Sequence, residues 1–417
     1  MTRRRLILLG STGSIGVSTL EVVEHLNRLD GPMRYDVVGL AAGASGDQLA
    51  DQATRFDVSA VALADHKGAR PLQSLGGPRV LLGNDAAHEL IDQVARPDDL
   101  VVSAMVGAAG LPATLAAIER GCDVALANKE TLVAAGPIVM EAARRAGVRI
   151  LPIDSEHNAL LQCIPADGDV SPVRRIIVTA SGGPFRTWSV EAVQAATVEQ
   201  ALDHPTWNMG RKVTIDSATM VNKALEVIEA HWLFGLPGEQ IEVLVHPQSV
   251  VHGLVEYVDG STIAQLGAPD MRTPIQHALT WPLRTEGCSR RLDWRALSAL
   301  DFAPPDASRF PALPLAYDVI RHGGTSGAVF NAANEVAVEA FLGRRLAFGG
   351  ISRVIAEAMA AVPAHCVRTL DDVLAADKQA RSAAAESIRR LPVESVGVGG
   401  NDSVSSPAGT PSPGTSH

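Results

Sequence analysis

Residues 5–16 read Arg5-Leu6-Ile7-Leu8-Leu9-Gly10-Ser11-Thr12-Gly13-Ser14-Ile15-Gly16, and apolar residues recur beyond them at Leu20, Val23 and Leu26. An apolar run, a glycine turn and a helical period predict strand, turn and helix in that order. In such a unit the backbone can approach a pyrophosphate closely, and the free N–H groups of the helix start bind it. The glycines are spaced G-x-x-G-x-x-G rather than G-x-G-x-x-G, so position after the first strand carries more weight than spacing. The Leu6–Leu9 run is too short for a signal peptide and is read as that first strand.

Outward from this unit, apolar runs at 37–40, 58–63, 80–82, 100–105, 124–127 and 148–153 alternate with helical segments, which predicts a mostly parallel, doubly wound sheet. A cofactor recognised through its ribose hydroxyls calls for an acid after the second strand. That region reads Leu40-Ala41-Ala42-Gly43-Ala44-Ser45-Gly46, without an acid, and so favours a 2′-phosphorylated cofactor. No lysine or arginine stands in the turn, leaving Ser45 and backbone N–H groups as donors. Asn128, Lys129 and Glu130 follow a later strand end, where an open parallel sheet faces its ligand; a charged helix start fits them equally.

Two further stretches are dense in chemistry. Ile153-Asp154-Ser155-Glu156-His157-Asn158 ends the last strand, and in an extended chain Asp154 and Glu156 point to one side and can share a cation. Asp154 as a helix N-cap is the competing reading, although His157 is not the Glu or Gln of a capping box. The second stretch, 204–226, begins as a loop at His204-Pro205-Thr206-Trp207 and is expected to become helical from about Asp216. Asn222, Lys223 and Glu226 then share a face, with Ser217 and Thr219 in the first turn, so the segment can hold a phosphate at its start and a metal one turn on. An exposed, salt-bridged face explains the same spacing. With Glu226 as a third hard carboxylate, the site suits Mg²⁺ or Mn²⁺. Ser181, in the turn after the run 176–180, is a candidate phosphate donor.

The chain has 417 residues, 46% of them hydrophobic, which bounds it at about two to three domains. Its 36 basic and 46 acidic residues make a net charge of -10, against nucleic acid or an anionic membrane as partner. Four separated cysteines form no zinc or redox spacing, and no apolar run is long enough to span a bilayer, so a cytoplasmic protein is expected. Segments 241–257 and 261–266 read as antiparallel strands. The expected organisation is a cofactor domain at 1–150, an α+β catalytic domain at 151–281 with a flexible loop at about 204–212, and a linker at 282–310. A helical bundle at 311–392 and a disordered tail at 393–417 complete it. Asn331, Asn334 and Glu335 form a polar cluster in the bundle that is given a packing role first.

The blocks GSTGSIG, ANKE, DSEHNA, SGGPF, HPTWNMGRKVTIDSATMVNKALE, HPQSVVHG and AQLGAPDMRTPI together resemble the 1-deoxy-D-xylulose 5-phosphate reductoisomerases, in order over roughly residues 5–390. The resemblance implies a homodimer with a Rossmann-like NADPH domain, a catalytic domain carrying a flexible loop and a C-terminal helical domain. It implies NADPH- and Mg²⁺- or Mn²⁺-dependent rearrangement and reduction of a sugar phosphate, 1-deoxy-D-xylulose 5-phosphate, to 2-C-methyl-D-erythritol 4-phosphate for isoprenoid synthesis. By that resemblance Thr12, Gly13, Ser14, Ile15, Gly43, Ala44, Ser45, Asn128, Glu130 and Gly210 bind the cofactor. Asp154, Glu156 and Glu226 hold the metal. Lys129, Ser155, Glu156, Ser181, His204, Ser217, Asn222, Lys223 and Glu226 bind substrate, and Trp207 closes over it. Asp154, Glu156, Glu226 and Lys129 are the expected catalytic set. Ala44 and Ser45 depart from the lysine or asparagine common there, which bears on the 2′-phosphate contact.

Overall fold

The computed structural model describes residues 2–207 and 209–391. The expected tail at 393–417 lies outside the described residues.

The N-terminal part is built on strands β1 (Thr2–Leu9), β2 (Met33–Ala42), β3 (Ala60–Leu63), β4 (Arg79–Leu82), β5 (Leu100–Ser103), β6 (Asp123–Leu126) and β7 (Ile150–Pro152). They form one sheet in the order β4-β3-β2-β1-β5-β6-β7, with every pairing parallel. Helices cover both faces, so the central strands are buried all round and read as unbroken apolar runs rather than alternating ones. Leu6, Ile7, Leu8 and Leu9 are accordingly all fully buried. The winding reverses between β1 and β5, and a ligand crevice opens at the carboxyl ends of those strands. Gly10, at φ +90°, makes the close approach there possible, since a side chain would overlap the carbonyl of Ala104 just beyond β5.

A second sheet stands beyond this crevice, made of β8 (Val173–Ala180), β9 (Ile241–Val245), β10 (Val251–Tyr257) and β11 (Thr262–Leu266) in the order β11-β10-β8-β9. The hairpin of β10 and β11 is antiparallel, as expected, but β9 runs parallel to β8 at the opposite edge. Between β8 and β9 the chain passes through the helices at 190–234, and so long a crossover permits parallel pairing where a short turn would not.

Helices Ala312–His322, Ser326–Leu342, Gly350–Ala361 and Leu370–Arg390 form the C-terminal bundle. It packs on both halves. Ala328, Val329 and Ala332 join the core under the first sheet, while Phe330, Ala333 and Phe341 join the core around the second. Helix Arg272–Thr280 follows the second sheet in sequence yet inserts Ile275, Ala278 and Leu279 beside Leu6 and Leu8. Residues 282–310 contain no helix or extended strand, and Ala303 forms a single bridge to Val245.

Candidate active site

Asp154 ends the segment after β7 and caps helix Ser155–Cys163, its Oδ1 accepting from the N–H of Glu156 at 3.1 Å and of His157 at 3.5 Å. The expected extended geometry is therefore replaced by a cap, and Glu156 stands in the first helical turn. The two carboxylates still converge, because a cap and the residue two beyond it lie at the same helix end. Glu226 comes from a different element, helix Val221–Phe234. Asp154, Glu156 and Glu226 each offer an oxygen within 4.8 Å of the others.

Two ammonium groups bind this trio. Lys129 Nζ donates to Asp154 Oδ2 at 2.6 Å, to Glu226 Oε1 at 3.0 Å and to Asn222 Oδ1 at 3.0 Å. Lys223 Nζ lies 3.3 Å from Glu156 Oε1 and also bonds Glu226. Glu226 is 1% exposed and Lys223 4%, so the exposed, salt-bridged reading of this face does not hold. Burial favours the neutral form of Lys129, but Asp154, Glu226 and Glu229 outweigh it and hold its pKa well above the ordinary value. Asp154 is held well below the carboxylate range because Lys129 and His157 overcome the cost of burying it. Glu156 goes the other way: burial and the neighbouring Glu226 charge push it up to about 7.

A second layer lies behind the trio. His157 is fully buried; its Nε2–H donates to the backbone carbonyl of Glu226 at 2.8 Å, while Nδ1 faces Glu229 at 3.1 Å and Asp154 at 3.2 Å. Against the effect of burial, the Glu229 and Asp154 carboxylates facing Nδ1 raise the ring's pKa well above the usual value. Sequence reasoning passed over His157 except as a capping test, and missed Glu229; the signal was a carboxylate three residues after Glu226 on a helix whose neighbouring positions are apolar.

The trio opens onto a cavity of about 560 Å³ that lies between the two sheets. At one end Ser181, His204 and Ser217 come together. His204 Nδ1 accepts from the N–H of Thr206 and Trp207, which puts the ring proton on Nε2, 3.2 Å from Ser181 Oγ. The Ser181 hydroxyl also accepts from Gly183 N–H at 3.2 Å, leaving its own proton to donate. Gly183, at φ +64°, lets this turn approach Ser217, whose carbonyl would be 2.9 Å from any Cβ there. Ser217 ends helix Arg211–Ala218 instead of opening the next one, a correction to the expected single helix from about Asp216. The break comes from Thr219, whose hydroxyl bonds back to Ile215 and accepts from Val221 N–H, and from Met220 at φ +60°. Trp207 forms part of the wall, with His252 behind it at 6.4 Å between ring centroids. Lys129, Ser155, Asn222 and Gly210 also line the cavity.

The opposite wall is the start of helix Ser14–Arg28, through Ser14, Ile15 and Ser18. Gly13 at its N-cap offers no side-chain acceptor and the first turn holds no acid, so the helix N–H groups are free for an anion. Thr12 and Gly13 belong to the turn itself. The neighbouring Gly43-Ala44-Ser45 turn is tied to it, since Ala41 O accepts from the N–H groups of both Gly10 and Ser11. Asp65 N–H donates to Gly43 O at 2.8 Å, which brings the segment containing His66 and Lys67 beside a turn that has no basic residue of its own. Asn128 and Glu130 do not line the cavity. Asn128 Nδ2 donates to Gly107 O at 2.9 Å, and Glu130 pairs with Lys212 at 2.9 Å. Asp270, Met271 and Arg272 line the cavity without having been singled out, although they lie in the block AQLGAPDMRTPI.

Three hard carboxylates with ammonium charge against them fit a divalent oxygen-seeking cation. An uncapped helix start and an acid-free second turn fit a 2′-phosphorylated dinucleotide. Comparison with known proteins agrees. A family model of 1-deoxy-D-xylulose 5-phosphate reductoisomerase matches residues 6–136, and models of its C-terminal domains match 150–234 and 266–383. The reductoisomerase of Burkholderia multivorans is 50% identical over 402 residues, covering 94% of this chain and 99% of that protein. This chain belongs to the 1-deoxy-D-xylulose 5-phosphate reductoisomerase family. The reductoisomerase of Chlorobium chlorochromatii is 51% identical over 387 residues, 91% of this chain and 98% of that one. Among solved structures, the Zymomonas mobilis reductoisomerase in complex with NADPH superposes with a TM-score of 0.86 at 46% identity, covering 94% of this chain and 100% of that one. A reductoisomerase complex with NADPH, fosmidomycin and magnesium gives 0.86 at 40% identity, covering 93% and 98%. The expected architecture of a Rossmann-like doubly wound sheet, an α+β domain and a helical C-terminal region is that of these reductoisomerase structures.

Proposed function

We propose that this chain converts 1-deoxy-D-xylulose 5-phosphate to 2-C-methyl-D-erythritol 4-phosphate with NADPH and Mg²⁺ or Mn²⁺, supplying isoprenoid synthesis, and that the cavity between the sheets is where it does so. The observation that carries the reading is the meeting of Asp154, Glu156 and Glu226 with an uncapped helix start across one cavity. Family membership and the NADPH and magnesium of the related reductoisomerase complexes support it.

In this reading Asp154, Glu156 and Glu226 hold the metal. When bound, the cation polarises substrate oxygens as a Lewis acid, and NADPH supplies hydride. Lys129 and Lys223 place fixed positive charge at the cavity floor, where oxyanion character develops. Ser181, His204, Ser217, Asn222 and Lys223 bind the phosphate end: the His204 Nε2–H and the Ser181 hydroxyl are ready donors, and burial lowers the His204 pKa so that it stays neutral. Glu156, within the trio and pushed up to about 7, is placed to hold or release a proton. Ser155 completes the substrate wall, and Trp207 excludes water. Thr12, Gly13, Ser14, Ile15, Gly43, Ala44, Ser45, Asn128, Glu130 and Gly210 border the cofactor.

The functional divisions proposed are the cofactor domain at 1–150, the catalytic domain at 151–281, the linker and the bundle at 311–392. Among the described residues no helix is long and apolar enough to cross a membrane. A cytoplasmic homodimer remains the proposed state; β11 is an edge strand beside exposed Val258 and Ile263, which supports association there.

Mn²⁺ binding, followed by the electron paramagnetic signal of the free ion, tests the metal assignment. Wild-type protein should deplete the signal and Glu226→Gln should not. Equal depletion by both would remove Glu226 from the site.

A further inference from the structure

Helix Ser326–Leu342 is buried among apolar neighbours, yet it carries Asn331, Asn334 and Glu335. Two lines of contact lead from these residues to the turn Asn128-Lys129-Glu130. In the first, Asn334 Nδ2 donates to Asp216 Oδ1 at 2.9 Å, Asp216 Oδ2 lies 2.8 Å from Lys212 Nζ, and Lys212 Nζ donates to Glu130 Oε1 at 2.9 Å. In the second, Glu335 accepts from Asn331 at 3.1 Å and from Arg381 at 2.5 Å and rests against Gly107, whose carbonyl accepts from Asn128. One helix thus braces both ends of a turn whose middle residue, Lys129, binds the carboxylate trio.

We propose that Asn334 is a positioning residue for the cofactor side of the active site, acting through Asp216 and Lys212 on Glu130. Lys212 is shared between two buried carboxylates. The Asn334 N–H satisfies part of Asp216, which leaves Lys212 free to hold Glu130. Without that donor a buried carboxylate oxygen lacks a partner, Asp216 draws Lys212 toward itself, and Glu130 loses its anchor. Glu130 is the first residue of helix Glu130–Ala146, so its release shifts the nearby Asn128, while Lys129 stays held by Asp154, Glu226 and Asn222.

The inference rests on the proposed NADPH reading of Asn128 and Glu130. Its test is the Kd of NADPH by cofactor fluorescence, without substrate or metal, for wild-type protein and Asn334→Leu. Steady-state KM values for NADPH and the ketose phosphate, kcat and Tm accompany it. The variant should bind NADPH about tenfold more weakly, with kcat at saturation and the ketose KM within about twofold of wild type. The exchanged pair Asn334→Asp with Asp216→Asn, which rebuilds the donor and acceptor in reverse, should recover most of the lost affinity. Should Asn334→Leu not fold, Asn334→Ser and Lys212→Met read the same line, and each should weaken NADPH. NADPH affinity within twofold of wild type in the folded variants overturns the proposal, as does weakening in Asn334→Leu that the exchanged pair leaves unrepaired. A wild-type protein that does not bind NADPH overturns the functional reading itself.

Discussion

Asp154 serves two purposes with its two oxygens: Oδ1 caps a helix and Oδ2 meets Lys129 in the carboxylate trio. Asp154→Asn keeps the shape and the cap acceptor but removes charge from the cluster. Its kcat/KM should fall by at least about a hundredfold, with NADPH affinity and Tm close to wild type; near-normal turnover would exclude it as a ligand. His252 gives a prediction about stability. Burial lowers its pKa to about 4, below the ordinary value near 6.5. Between those values the unfolded chain takes up a proton that the folded chain does not, so stability falls as pH drops through this window. The loss attributable to His252 should be about 2 kcal/mol between pH 7 and 5, seen as a lower urea midpoint, and His252→Gln should flatten it. An unchanged slope in that variant would contradict the assignment. Not every residue here was legible in advance. Asp154, Glu156 and Glu226 drew attention as carboxylates able to share a cation, although an exposed salt-bridged face explained the spacing of Glu226 as well; His157 and Glu229 did not, because a buried ion pair between distant elements leaves no local period in the chain.

At the scale of elements, the glycine turn after β1 pointed to a pyrophosphate by its place behind the first strand, whereas nothing in the sequence pointed to a grip on a 2′-phosphate. The Gly43-Ala44-Ser45 turn lacks a basic residue, but the Asp65–Gly43 hydrogen bond draws the end of β3 beside it, and Lys67 comes with that end. Lys67→Ala should raise KM for NADPH about three- to tenfold and leave KM for NADH unchanged. Equal effects on both cofactors would place Lys67 away from the phosphate. The stretch from His204 into helix Val221–Phe234 taught a different lesson. Its apolar period was visible, but the interruption at Met220 was not, since it depends on Thr219 turning its hydroxyl back to Ile215. That interruption places Ser217 and Lys223 on separate helices facing one cavity. Trp207 closes the same wall, so Trp207→Ala should raise the ketose KM and lower kcat together, by roughly tenfold each. An unaltered profile would remove its part in excluding water.

Across the whole molecule, what could be read ahead was the alternation that makes a doubly wound sheet, the helical C-terminus and the blocks that mark the reductoisomerase family. What could not be read was how the parts interlock. Helix Arg272–Thr280 returns to pack under the first sheet, and the bundle sends Asn334 to Asp216 and Glu335 to Gly107, because tertiary burial and not local spacing decides where such side chains go. In the proposed function one cavity joins a carboxylate metal site to a dinucleotide site. This is tested most directly by following NADPH absorbance with 1-deoxy-D-xylulose 5-phosphate, first with Mg²⁺ or Mn²⁺ and then with a chelator, and identifying the product by carbon magnetic resonance. Oxidation should need both ketose and metal and yield the branched polyol phosphate in equal amount. Oxidation that persists in the chelated protein, or a product with an unbranched carbon chain, would contradict it.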